Sequence, residues 1–185
     1  MKQSLYGLLI WIALILPPAA HLLESVMIVH MHMQMPLLAF TGFLMAKYFQ
    51  IRFPLFFEKW NSNGIPGILL FIMISVYWMI PRTMDEALTI PAVEWFKFIS
   101  LPLMAGIPLR DSWKKIGSGL KTSLFIGFAV LFLGMGLLYI YSPEQLCNNY
   151  LRIDQITLGW GFILMAVCLA IYVLYDMMMD HSAYE

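Results

Sequence analysis

Two histidines stand in a run of methionines, Met27-Ile28-Val29-His30-Met31-His32-Met33-Gln34-Met35-Pro36. Imidazole and thioether together form the ligand set that soft Cu(I) prefers. The run lies in a stretch apolar enough to cross a bilayer, where a histidine faces a partner helix, a cofactor, a metal or water. Spacing limits what the two can do together, since residues two apart on an ideal helix point about 200° away from each other. Met27, His30, Met31 and Gln34 share one face; His32 and Met35 share another. Pro36 gives no N–H to the carbonyl of His32 and crowds it, so a kink that partly reorients His32 is expected.

The elements that hold these residues follow from composition and charge. Apolar residues make up 61% of the 185-residue chain and charged ones 12%, and mean hydropathy is +0.78. Too little polar surface remains for a water-soluble fold. The expectation is an all-α, polytopic membrane bundle forming one domain, 1–185, with about six spans near 4–20, 24–47, 65–81, 93–109, 122–142 and 156–176. Alternating spans put Lys2, Lys47, Arg52, Lys59, Arg110, Lys114, Lys115 and Lys121 on one side, and Arg82, Lys97 and Arg152 on the other. The positive-inside rule then places both termini in the cytoplasm of a cell whose inner (plasma) membrane carries the chain. Lys2 and Pro17-Pro18-Ala19-Ala20 also fit a signal peptide, but a retained helix is the expectation.

With this threading, His21, Glu24, His30, His32, Arg82, Asp85, Glu86, Glu94 and Lys97 gather at the outer leaflet. Plain roles exist for several of them. Arg82, Asp85 and Glu86 read as an interfacial salt-bridge cluster, and Glu94 with Lys97 as an intrahelical ion pair. Trp78, Trp95, Trp60 and Trp113 suit an interfacial belt. Gly127, Gly134, Gly136, Gly159 and Gly161 read as packing residues, and Asn61-Ser62-Asn63-Gly64 as a turn. Cys147 and Cys168 make no metal-spaced pair. The end of the chain, Asp176 to Glu185 with Asp180 and His181, reads as a solvated tail able to dock a partner.

The segment from Trp78 through Pro81, Asp85, Ala87 and Leu88, followed by Pro91, Glu94 and Gly106, resembles the CtaG family of membrane proteins linked to cytochrome c oxidase assembly. His30-Met31, Pro36-Leu37-Leu38 and Gly42 are similar to that family's preceding histidine motif, so the likeness covers roughly residues 24–109. Met79 stands where the family has histidine, Met84 where it has tyrosine, and Glu94 and Phe98 where further histidines follow. The resemblance implies copper handling at the outer face for a copper-dependent membrane oxidase. Thioether is a soft neutral ligand. The implied Cu(I) site is His30 with Met27 or Met31, and Met79 or Met84, with His32, Glu24, Asp85 and Arg82 around it.

Two rival readings stand beside this one. In the first, the chain is an accessory or scaffold subunit of a membrane complex, keeping the fold without metal. In the second, His30 is an axial haem ligand with Met or His opposite it, although no histidine stands on a facing helix: His21 and His181 lie near membrane ends and His32 is on the helix of His30. Zero net charge argues against nucleic acid. No nucleophile with a base, phosphate loop or i, i+4 histidine pair is present, so a non-enzyme is expected.

Overall fold

Prolines set where the helices begin. A computed structural model describes residues 2–179, and the expected role of 180–185, with Asp180 and His181, lies outside them. Four helices start on a proline, which needs no backbone N–H in the first turn. The elements are α1 (Lys2–Ile15), α2 (Pro17–Glu24), α3 (Met27–Arg52), α4 (Pro54–Trp60), α5 (Ile65–Met79), α6 (Pro81–Thr89), α7 (Pro91–Trp113), α8 (Ser118–Tyr141) and α9 (Arg152–Met178). All are α-helical apart from the two π turns described below, and no strand occurs among the described residues.

The chain is a multi-pass membrane bundle. Helices α3, α7, α8 and α9 are each long and apolar enough to cross a bilayer. Of the other two expected spans, 4–20 is broken, Pro17-Pro18 splitting it into α1 and α2 with a 71° bend, whereas 65–81 is the single helix α5, which α4, lying before the expected span, meets across an 87° bend. That corner is the turn read at Asn61–Gly64, and Gly64 takes φ +79°, a conformation that side chains disfavour.

Both π turns precede a proline. Pro36 and Pro108 cannot donate to the carbonyls four residues back, and the residue before each reaches one residue further instead. Met35 N–H bonds to His30 O and Ile107 N–H to Pro102 O, so π turns form over His30–Gln34 and Leu101–Gly106. The expected distortion at Pro36 is therefore an added residue in the turn. Gly42 and Gly106 then let α3 and α7 touch backbone to backbone: a Cβ on either would lie 1.9 Å from Pro102 O or Ala39 O.

Helices α8 and α9 form a hairpin that packs closely on itself. Gly136 and Gly159 face each other across it, where either Cβ would meet the other's carbonyl at 2.9 Å. Gly161 accommodates Ile28 and His32. Gly127 and Gly134 correct the reading from sequence, because open space lies over both.

At the end carrying most of the basic residues, Asn61 and Asp111 tie four elements together. The Asn61 amide donates to Asp111 Oδ2 (2.6 Å) and Ser112 Oγ (2.9 Å) and accepts from Gly67 N (2.9 Å). Asp111 also accepts from Gln50 (2.8 Å) and Lys115 (2.7 Å). Each side-chain polar atom of Asn61 and Asp111 is engaged, which is the condition for burying them at little cost.

Candidate functional site

The opposite end holds a second polar cluster. Lys97 of α7 is wholly buried and donates to Glu24 Oε1 at 2.5 Å, from the last residue of α2. Gln34 Nε2 donates to the same oxygen at 3.2 Å. His30, also wholly buried, lies beside them with Nε2 3.4 Å from Lys97 Nζ.

Tyr150, in the loop joining α8 to α9, sets the protonation of His30. Burial, and after it the Glu24 carboxylate, hold the phenol above its ordinary value, so it keeps its proton. That single proton goes to the backbone carbonyl of Glu24 at 2.6 Å. The contact between Tyr150 Oη and His30 Nδ1, at 3.0 Å, must then use an imidazole N–H as donor. Because Nε2 lies 3.4 Å from the Lys97 ammonium, which can only donate, that nitrogen carries the lone pair and His30 is the neutral Nδ1–H tautomer.

Loop 142–151 is itself pinned from α6. Asp85 accepts from Asn149 N (3.0 Å), Asn149 Nδ2 (2.8 Å) and Asn148 Nδ2 (3.2 Å). The Cys147 thiol sits against Pro81 O, and burial followed by the nearby Asp85 charge pushes it up to about 12. Asp85 therefore acts on His30 indirectly, by holding the loop that carries Tyr150.

Of the nine polar residues expected at the outer leaflet, the structure brings Glu24, His30 and Lys97 together. Lys97 pairs with Glu24 across helices rather than with Glu94 on its own helix. Arg82 pairs with Glu86 at 2.8 Å and is 86% exposed, so it and Asp85 do not form one salt-bridge cluster. His21 is exposed on α2. Met27, Met31, Met79 and Met84 all enter the main apolar core, with Met27 and Met84 fully buried. Trp78 corrects the belt assignment: it is 1% exposed and donates to Ser100 Oγ at 2.9 Å.

His32 points elsewhere, as its spacing from His30 implies. Its ring lies 4.6 Å from that of Phe162 on α9, and both its nitrogens are buried without a hydrogen-bond partner. Gln34 Oε1 in the same turn also lacks one. Sequence reasoning missed Tyr150, Gln34 as a partner of Glu24, and the Asn148–Asn149 latch. None carries a spacing signal, since each acts across a contact distant in sequence.

Does this site suit the copper that the family resemblance implies? At His30 it does not: one ring nitrogen is a donor to Tyr150 and the other faces an ammonium, which repels a second cation. Among the described residues no three His, Cys, Asp or Glu side chains converge on one point, which leaves a site of one imidazole with thioethers untouched. A haem iron meets the same obstacle at His30. No protein-family model, curated protein or solved structure matches the chain.

Proposed function

We propose that the chain is a non-catalytic assembly or accessory protein for a copper-dependent membrane oxidase, built around a charged outer-leaflet cluster in place of a metal at His30. The observation that carries this reading is the Lys97 ammonium lying between Glu24 and the lone pair of His30, where a ligated cation would otherwise sit. Positive charge is supplied by the chain itself. The resemblance over residues 24–109 supports the choice of client, and the basic residues at the Asn61 end support a cytoplasmic position for that end in a plasma membrane.

An exposed surface for partners is consistent with this role. Only 11% of the most apolar window of α8 and 28% of that of α9 is buried, leaving the hairpin to lipid or to another subunit. A second reading, Cu(I) carriage, draws on the thioethers of Met31 and Met79, which line one cavity beside His32.

Cells lacking the chain separate the two. Loss of assembled oxidase that added copper does not restore supports the accessory role, and rescue by copper supports carriage. Unchanged oxidase content would remove the assembly reading altogether.

A further inference from the structure

Where α1 packs against the end of α3, a cleft of about 300 Å³ opens, lined by Ser4, Lys47, Tyr48, Ile51 and Arg52. It lies at the end of the bundle that carries most of the basic residues, away from the Glu24–Lys97–His30 cluster. Lys47, Tyr48, Ile51 and Arg52 follow i, i+1, i+4, i+5, so α3 presents all four on one side. Ser4 closes the cleft from α1, and its hydroxyl is buried and offers nothing to an occupant. The side-chain polar groups that remain are the two cations and the Tyr48 phenol.

Both cations lack an anion. Among the described residues neither Lys47 nor Arg52 makes an ion pair or a side-chain hydrogen bond, and Arg52 has only the face of the Phe53 ring, 5.9 Å away. Other cations of the chain are engaged within it: Arg110 donates to Phe43 O and Gln3, Lys115 to Asp111 and Lys97 to Glu24. Two uncompensated positive charges on one concavity attract an anion, and the guanidinium fork matches phosphate oxygens.

Depth selects the source of that phosphate. Helix α3 has 26 residues, about 39 Å at 1.5 Å per residue, and exceeds a hydrocarbon core of about 30 Å, so its last turns emerge among lipid headgroups. The next helix, α4, meets α5 at 87°, so it runs along the membrane surface where α5 runs across. Phe53, Leu55 and Phe56, which are 50%, 79% and 59% exposed, set apolar side chains at that level, beside the cations. A zwitterionic lipid would bring its own ammonium next to Lys47 and Arg52, which repel it, whereas an anionic one brings none. We propose that this cleft holds the headgroup of one anionic phospholipid, with its phosphate on Lys47 and Arg52 and its acyl chains against Ile51. The site does not rest on the assembly reading.

The test is native mass spectrometry of the full chain in detergent, titrated with phosphatidylglycerol or with phosphatidylcholine. Wild type takes up one phosphatidylglycerol per chain, with an affinity about tenfold or more above that for phosphatidylcholine. Lys47→Gln with Arg52→Gln loses that preference, and its melting temperature without lipid stays within about 2 °C of wild type, since exposed side chains without an ionic partner are removed. Lys47→Arg with Arg52→Lys, which conserves charge, keeps the preference. So does Lys114→Gln with Lys121→Gln, an equal charge change at the same end but outside the cleft. Equal affinity for the two lipids, an unaltered preference in Lys47→Gln with Arg52→Gln, or the same loss in Lys114→Gln with Lys121→Gln overturns the proposal. Displacement of the lipid by millimolar inorganic phosphate also overturns it, because the site would then be one for free phosphate.

Discussion

The two polar clusters at opposite ends of the bundle are built from similar parts and completed differently. Around Asn61 and Asp111 every side-chain donor finds an acceptor, including those of Gln50 and Lys115. Around His30 and Glu24 the polar groups also meet, but Gln34 Oε1 and both nitrogens of nearby His32 are left over. A saturated network holds helices in register and offers nothing to a ligand. An unsaturated one keeps capacity for a partner, which makes the Glu24–His30 cluster the functional candidate and the Asn61–Asp111 network a structural clamp.

The largest effect expected from breaking this contrast comes at Lys97. Lys97→Met leaves Glu24 and Gln34 without their cation and should lower stability by about 3–5 kcal/mol, measured by denaturant or thermal unfolding in detergent. Glu24→Gln with Lys97→Met should regain most of that loss, since both charges leave together. On the proposed function the double variant still fails to support the oxidase. A double variant as unstable as the single one would mean that the pair is not coupled.

At the inner clamp, Asp111→Asn should cost about 2 kcal/mol, because Lys115 loses its counter-ion and the Asn61 amide faces another amide. Oxidase content should fall only with protein level. A selective loss of oxidase at normal protein level would give the inner end a role the contrast denies it.

Loop 142–151 gives a chemical readout. Because Cys147 is 1% exposed and held to a pKa of about 12, maleimide at pH 8 should label it very slowly in a Cys168→Ser background. Asp85→Ala frees Asn148 and Asn149, and labelling should accelerate roughly tenfold. Equal labelling rates would detach Asp85 from the loop that positions Tyr150.

The smallest effect is expected at Gly127 and Gly134, which face open space: alanine at either should leave stability unchanged or raise it by up to about 1 kcal/mol. Gly42→Ala, by contrast, would drive a Cβ into the Pro102 carbonyl and should cost about 3 kcal/mol.

How legible these features were in the sequence depended on their range. Hydropathy marks the long helices α3, α7, α8 and α9 because their signal is local, and prolines mark the breaks for the same reason. The opposed directions of His30 and His32 followed from spacing alone. The π turns did not, although the proline beside each was visible: a helix absorbs a proline either by a kink or by an added residue, and the local sequence does not choose between them. Lys97 looked paired with Glu94 because i, i+3 is the only neighbour a sequence displays, whereas the structure supplies Glu24 from another helix. The glycines divided on the same ground, as contact at Gly136 and its absence at Gly134 are set by where α9 lies.

The central claim, that charge stands in place of metal at His30, is tested most directly by counting copper. The purified chain is loaded with Cu(I) under reducing conditions against a competing chelator, with His30→Ala alongside. The account predicts that the two retain the same copper per chain. Near-stoichiometric copper in the wild type that disappears in His30→Ala would contradict it, because Lys97 would then have yielded its place to the metal.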